Sequence, residues 1–114
     1  MSDCLFCKMA AGDIKPDIVF EDDEFLAFRD IDPQAPVHVL IIPRKHIATI
    51  NDLGKDDAGL VGRMVLAAKK IAADEGIGEA GYRTLINCNA EGGQAVYHIH
   101  LHLLGGRRMG WPPG

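Results

Sequence analysis

Apolar and polar positions divide the chain into segments of two different periods. Asp17-Ile-Val-Phe-Glu21 is a short apolar run with polar ends and reads as a strand, followed by a tight turn at Asp22-Asp23. Glu24-Phe-Leu-Ala-Phe-Arg-Asp30 reads as its hairpin partner, with Phe25, Ala27 and Arg29 on one face and Leu26 and Phe28 on the other. Asp32-Pro-Gln-Ala-Pro36 is a loop, because two prolines and an aspartate cannot sustain a ladder. Val37-His-Val-Leu-Ile-Ile42 is the most apolar run and is expected as a central strand, stopped by Pro43. From about Asp56 to Glu75 the period becomes helical. Leu60, Met64, Ala68, Ile71 and Ala72 form the stripe, Val61 and Val65 widen it, and Gly76 and Gly78 end it. Tyr82 to Cys88 is a fourth strand, Ala90 to Ala95 a flexible loop, and Val96 to Leu104 a fifth strand. At the N-terminus Asp3 is placed to cap a short helix running to Ala11 and closed by Gly12. The tail from Gly105 to Gly114 has no core-forming pattern. Short-turn strands with one long helix inserted before the last two predict an α+β fold with an antiparallel sheet.

The 114 residues suit one domain, 1–114, with a single core. An apolar fraction of 47% and a charged fraction of 25% describe an ordinary soluble globular chain. A net charge of −4 argues against a duplex nucleic-acid binder, which needs a basic face, but not against a single nucleotide. No run is long enough to span a membrane, and the N-terminus shows no secretory signal. With three cysteines and no export signal, reduced thiols or metal ligands in a cytoplasmic protein are expected.

The candidate chemistry sits in Tyr97-His-Ile-His-Leu-His-Leu-Leu104. His98, His100 and His102 alternate with Ile99, Leu101 and Leu103, which puts three imidazoles on one strand face, Cα atoms about 6.5–7 Å apart. Imidazole acts as base, nucleophile or metal ligand near pH 7. The preceding Glu91-Gly-Gly-Gln94 lets backbone N–H groups approach an anion, and the Gln94 amide is a further donor. Asn87 is either another site residue or a turn residue bonding its own backbone. Cys4-Leu-Phe-Cys7 admits three readings: a redox dithiol, half of a zinc site, or two buried thiols without a role. His38 and His46 bracket the third strand, with His38 opposite in facing to Val37 and Val39. Trp111, in a proline-flanked tail, either clamps a base or a partner subunit or docks on the surface.

Taken together these residues resemble the histidine triad family. His98-Ile-His-Leu-His-Leu-Leu104 is similar to its His-φ-His-φ-His-φ-φ signature. Gly92-Gly-Gln, Gly105-Gly-Arg, Asp30-Ile-Asp-Pro-Gln-Ala-Pro36 and Trp111-Pro-Pro-Gly114 look like the branch of histidine triad nucleotide-binding proteins, the purine nucleoside phosphoramidases. The resemblance covers nearly the whole chain. It implies a five-stranded antiparallel sheet with one long helix and a short N-terminal helix, and a homodimer whose sheets join across the interface.

It also implies roles. His100 would attack the α-phosphorus of a nucleoside 5′-phosphoramidate and form a nucleotidyl-imidazole that water then hydrolyses. His102 would hold the phosphoryl oxygens, with Gly93, Gln94 and Ala95 beside them. Asp30 would bind the ribose hydroxyls, and Asn87 would contact the ribose and phosphate. Leu5, Phe6, Met9, Phe28 and Ile31 would line a purine pocket. His38 would support the nucleophile by hydrogen bonding, and Trp111 would reach the partner's site. No metal is needed for that chemistry. A subset of relatives carries zinc, and by that resemblance Cys4, Cys7, His46 and His98 would be its ligands, with a structural role; without zinc, His98 would orient His100. The branch often has serine at position 95, where this chain has Ala95. Other readings are a dinucleoside polyphosphate hydrolase or nucleotidyl transferase, a nucleotide-binding interaction module with incidental catalysis, and a purely structural zinc protein.

Overall fold

The computed structural model describes residues 3–114. The elements are α1 (Leu5–Ala11), β1 (Ile18–Glu21), β2 (Phe25–Arg29), β3 (Val37–Pro43), α2 (Ala58–Asp74), β4 (Tyr82–Leu85), α3 (Asn89–Gly92) and β5 (Leu101–Gly105). Two single turns of 3₁₀ helix, Ile50–Asp52 and Lys55–Asp57, lead into α2. The five strands form one antiparallel sheet in the order β1-β2-β3-β5-β4, so the expected fold class stands.

The strand alternation sorts side chains into two cores. Phe25, Ala27, Val39, Ile41, Ile99, Leu101 and Leu103 face α2 and pack on Leu60, Met64, Ala68, Ile71 and Ala72. Leu26, Phe28, Leu40 and Ile42 face the other way and are covered at one end by Phe6 of α1. With both faces covered there, β2 and β3 are buried on both sides, which is why they read as unbroken apolar runs.

The turn at Asp22 is held by its own carboxylate, which accepts the N–H groups of Glu24 and Phe25 at 2.9 and 2.7 Å. Bidentate ion pairs tie α2 to the hairpin: Arg63 donates to Glu24 at 2.7 and 2.8 Å, and Arg29 to Glu75 at 2.9 and 3.0 Å.

Several expected boundaries move. Cys4, not Asp3, caps α1, its sulfur accepting the Cys7 N–H at 3.2 Å. Gly12 closes that helix as expected, at φ 88°, where a Cβ would be strained. In α2, Val65 and Leu66 face solvent at 47% and 62% exposure, while Ala67 joins the buried stripe. The fourth strand ends at Leu85 rather than Cys88. The loop predicted at Ala90–Ala95 begins with the single turn α3. The fifth strand starts at Leu101 rather than Val96, for a reason that belongs to the site.

Candidate active site

The register pairs Leu101 with Ile41, so Ile99 lies opposite Pro43. Proline has no N–H to give, and the ladder stops there. Ile99 instead donates its N–H to the Ile47 carbonyl at 2.6 Å, and the Pro43 carbonyl accepts from His98 Nε2–H at 2.7 Å. Alternation of facing survives without the ladder. Ile99, Leu101 and Leu103 lie in the α2-side core, and the three histidines point to the opposite face. Ring centroids of His100 and His102 are 4.9 Å apart. Phe6 meets His100 edge-on at 5.1 Å and His98 at 6.0 Å.

Hydrogen bonds fix where the protons sit. His100 Nδ1 is 2.8 Å from the His98 carbonyl, which only accepts, so Nδ1 carries the proton and Nε2 keeps its lone pair. A second chain starts at Gln34, whose backbone N–H donates to His38 Nδ1 at 3.0 Å. Neutral His38 then bears its proton on Nε2, which lies 2.9 Å from His102 Nδ1. His102 Nδ1 is thereby the acceptor and Nε2–H the donor. That Nε2 is the one buried side-chain nitrogen or oxygen without a hydrogen-bond partner among the described residues. A buried donor left unpaired costs about 1–3 kcal/mol, so its position calls for an acceptor from outside the chain. The site thus presents a lone pair at His100 and an N–H at the neighbouring His102.

Burial supports these neutral forms. Desolvation pushes His38, His98 and His100 below the ordinary histidine pKa, and it lowers His102 to about 4, helped by the neighbouring His100 and His38. Asp30 Oδ2 lies 3.4 Å from His38 Nε2 and opposes the shift of His38 without reversing it. The Asp30 Oδ1 atom accepts the Asp32 N–H at 2.8 Å, which orients the carboxylate beside the histidines. The hydrogen bond expected from His38 to the nucleophile goes to His102 instead. His98 orients His100 through its backbone carbonyl, not its ring.

The other predicted residues are partly gathered. Phe6 and Phe28 are buried together, edge-to-face at 5.5 Å, and Met9 packs beside them. Leu5 is exposed at 41%, and Ile31 is fully exposed beside Asp30. Asn87 is half-buried and backs the glycine turn, where Gly92 lies against its backbone. Gly93 holds φ 83°, which the turn requires. The two N–H groups expected to meet an anion are taken: Gly93 donates to Ala90 at 3.0 Å and Gln94 to Asn89 at 3.1 Å. The Gln94 amide is also committed, donating to the Ala48 and Val96 carbonyls at 2.8 and 3.1 Å and accepting the Asn89 N–H at 2.9 Å. Gln94 is therefore a brace for the loop, and exposed Ala95 is the next residue toward solvent. Trp111 is 83% exposed, its ring 6.0 Å from the Arg83 Cζ.

Cys4, Cys7, His46 and His98 converge, their ligand atoms all within 4.8 Å of one another. His98 Nδ1 lies 3.3 Å from Cys4 Sγ, 3.5 Å from Cys7 Sγ and 3.2 Å from His46 Nδ1, and Cys7 Sγ lies 3.2 Å from His46 Nδ1. Tetrahedral zinc bonds of about 2.3 Å to sulfur and 2.0–2.1 Å to nitrogen separate ligand atoms by roughly 3.3–3.8 Å, so the donor set fits that ion. The His98 Nε2–H bond to Pro43 leaves Nδ1 deprotonated, as ligation demands. Burial and the adjacent Cys4 push the Cys7 thiol pKa up in the absence of such a charge. Asp30, His38 and His102 also cluster, but the His38–His102 hydrogen bond occupies the lone pair a metal would use there.

Sequence reasoning missed the Gln34 N–H and the carbonyls of His98 and Pro43. These are backbone groups, and side-chain identity carries no signal for them.

Comparison with known proteins agrees with this geometry. Residues 11–109 match the HIT domain family model. A purine nucleoside phosphoramidase of Escherichia coli is 54% identical over 106 residues, covering 93% of this chain and 89% of that protein. An uncharacterised HIT-like protein of Synechococcus elongatus is 53% identical over 112 residues, 98% and 97% of the two chains. The crystal structure of a HIT family hydrolase from Legionella pneumophila superposes with a TM-score of 0.97 at 62% identity, over 98% and 100% of the chains. With its fold, its ordered histidines and these relatives in agreement, the chain belongs to the HIT domain family.

Proposed function

We propose that this protein is a hydrolase that cleaves the P–N bond of purine nucleoside 5′-phosphoramidates. The observation that carries this reading is the pair of opposite tautomers, a lone pair on His100 Nε2 beside an unpartnered N–H on His102 Nε2. The relatives named for phosphoramidase and hydrolase activity support it.

In the proposed reaction His100 Nε2 attacks the α-phosphorus. An Nε2–P bond forms, the bond from phosphorus to the amine breaks, and its electron pair stays on the amine nitrogen. That nitrogen takes a proton from solvent, because Ala95 has no hydroxyl to give one. The positive charge gained by the ring is held by the His98 carbonyl at Nδ1–H. His102 Nε2–H donates to a phosphoryl oxygen. Water then attacks phosphorus, the Nε2–P bond breaks, the nucleoside monophosphate is released, and a proton returns to solvent. Asp30 accepts from the ribose hydroxyls, and Phe6, Phe28 and Met9 back the base. Steady-state hydrolysis of adenosine 5′-phosphoramidate tests this directly. Turnover in the parent and none in His100→Ala is the expected result; equal turnover in both would refute the assignment.

Cys4, Cys7, His46 and His98 would hold zinc, which supplies a cross-link between α1, the end of β3 and the histidine segment. The chain is further proposed to be a homodimer. β4 is an unpaired sheet edge, and exposed Tyr82, Val65 and Leu66 give apolar surface on it and on α2. Light scattering should give the mass of two chains; a monomer at micromolar concentration would exclude it. Among the described residues no helix is long and apolar enough to cross a membrane. Three free cysteines favour a reducing cytoplasmic location, which cell fractionation checks.

A further inference from the structure

The arginines of this chain fall into two groups. Arg29, Arg44 and Arg63 are each paired with a carboxylate. Arg83, Arg107 and Arg108 are in no ion pair among the described residues, although the chain carries a net charge of −4. These three line one cavity of about 320 Å³ with Ala80, Gly81, Tyr82 and Met109, beside the β4 edge at which a second copy is proposed to pair. Like charges repel, and among the described residues no carboxylate offsets these three: Arg83 and Arg107 donate to backbone carbonyls alone.

The sheet register connects this cluster to the site. Arg83 pairs with Leu104, Leu104 pairs with His38, and Leu85 pairs with His102. Paired residues in an antiparallel ladder share a face, so Arg83 lies on the face of His38 and His102. It sits one row beyond His102, a diagonal of about 7–8 Å between Cα atoms. Its Nη2 donates to the Gly110 carbonyl at 2.9 Å, and its Cζ lies 6.0 Å from the Trp111 ring, which fastens the tail to this end of the sheet. Arg107 is oriented by the Gln34 carbonyl at 3.0 and 3.2 Å, the same residue whose N–H starts the His38–His102 chain. The Arg108 guanidinium makes no hydrogen bond among the described residues and is exposed.

We propose that Arg83, Arg107 and Arg108 form an anion subsite for the group that leaves the α-phosphorus. It takes a carboxylate or a phosphate carried on that group, bound by the free donors of Arg83 and Arg108, while Arg107, whose three guanidinium nitrogens already donate to carbonyls, adds charge. This rests on the reading of the triad as a nucleotide hydrolase and names the substrate class for it: phosphoramidates or anhydrides with an acidic leaving group.

Calorimetric titration of uncleavable nucleotides tests the subsite without turnover. The carboxylate arm compares 5′-O-(N-succinylsulfamoyl)adenosine with its succinamoyl counterpart, which lacks only the terminal carboxylate. The phosphate arm compares adenosine 5′-(α,β-methylene)diphosphate with adenosine 5′-monophosphate. At low salt the member carrying the additional carboxylate or phosphate in at least one pair should bind about tenfold tighter, and which arm shows the gain identifies the anion. That ratio should shrink to within about twofold in the Arg83→Gln/Arg108→Gln double variant and at high salt. Arg108→Gln alone, which disturbs no hydrogen bond of the fold, should lose a measurable part of it. Equal affinities within both pairs in the parent would overturn the subsite while leaving the hydrolase reading intact. So would a gain that survives the double variant. Failure of every adenosine probe to bind would overturn the nucleotide reading and the subsite with it.

Discussion

Two clusters of imidazole lie side by side on this sheet, and they have opposite polarity. In the cysteine cluster, donor atoms converge with their lone pairs toward one point: His98 Nδ1, His46 Nδ1 and two sulfurs meet at 3.2–3.5 Å. The geometry of such a cluster suits a cation. In the triad cluster, the chain from Gln34 through His38 ends in an N–H at His102 that has no acceptor. Such an arrangement is built for an anion. His98 belongs to both, its ring to the first and its carbonyl to the second. The lesson is that the hydrogen bond on the other ring nitrogen, rather than the presence of histidine, decides what each imidazole does.

The contrast predicts that the clusters fail differently. Metal removal by a chelator, or Cys4→Ser, should lower Tm on the order of 10 °C, because a structural ion adds its binding energy to folding. One zinc per chain should be found in the parent by elemental analysis and be lost in Cys4→Ser. No metal in the parent, or an unchanged Tm, would remove the distinction. His100→Ala should do the reverse, removing turnover while Tm moves little.

A smaller effect is expected from His38→Ala. Without the Nε2–H of His38, His102 Nδ1 loses the partner that fixes its tautomer. The rate should fall roughly 10–100-fold, mostly in kcat, as for the loss of a group that orients a functional histidine. A rate within twofold of the parent would show that the tautomer is set some other way.

The smallest effect is on stability against pH. His102 titrates near 4 in the folded protein, below the 6.5 of a free histidine. Between those values the unfolded chain binds the extra proton, so stability rises with pH, is fully present above about 6.5 and is lost as pH falls toward 4. Chemical denaturation at several pH values should show this slope, and His102→Asn should flatten it.

Much of this was legible from the sequence because it follows from side-chain period. The alternation from His98 to Leu103 put three rings on one face even though only the segment from Leu101 is paired. The helical stripe of α2 and the facing of the hairpin residues were readable for the same reason. The Cys4, Cys7, His46 and His98 set came through resemblance, since their spacing along the chain does not reveal that β3 and α1 bring them together. What was not legible belongs to the backbone. The start of β5 depends on the missing N–H of Pro43, five residues from His38 on its own strand. The commitment of the Gly93 and Gln94 N–H groups depends on how α3 closes, and the bond from Gln34 to His38 depends on how a two-proline loop folds back.

The most direct test of opposite polarity is a long-range ¹H–¹⁵N correlation spectrum of the imidazoles near neutral pH. The account predicts His100 as the Nδ1–H tautomer and His102 as the Nε2–H tautomer, both neutral. Observation of His100 with its proton on Nε2 would leave it without a lone pair toward the substrate and would contradict the account.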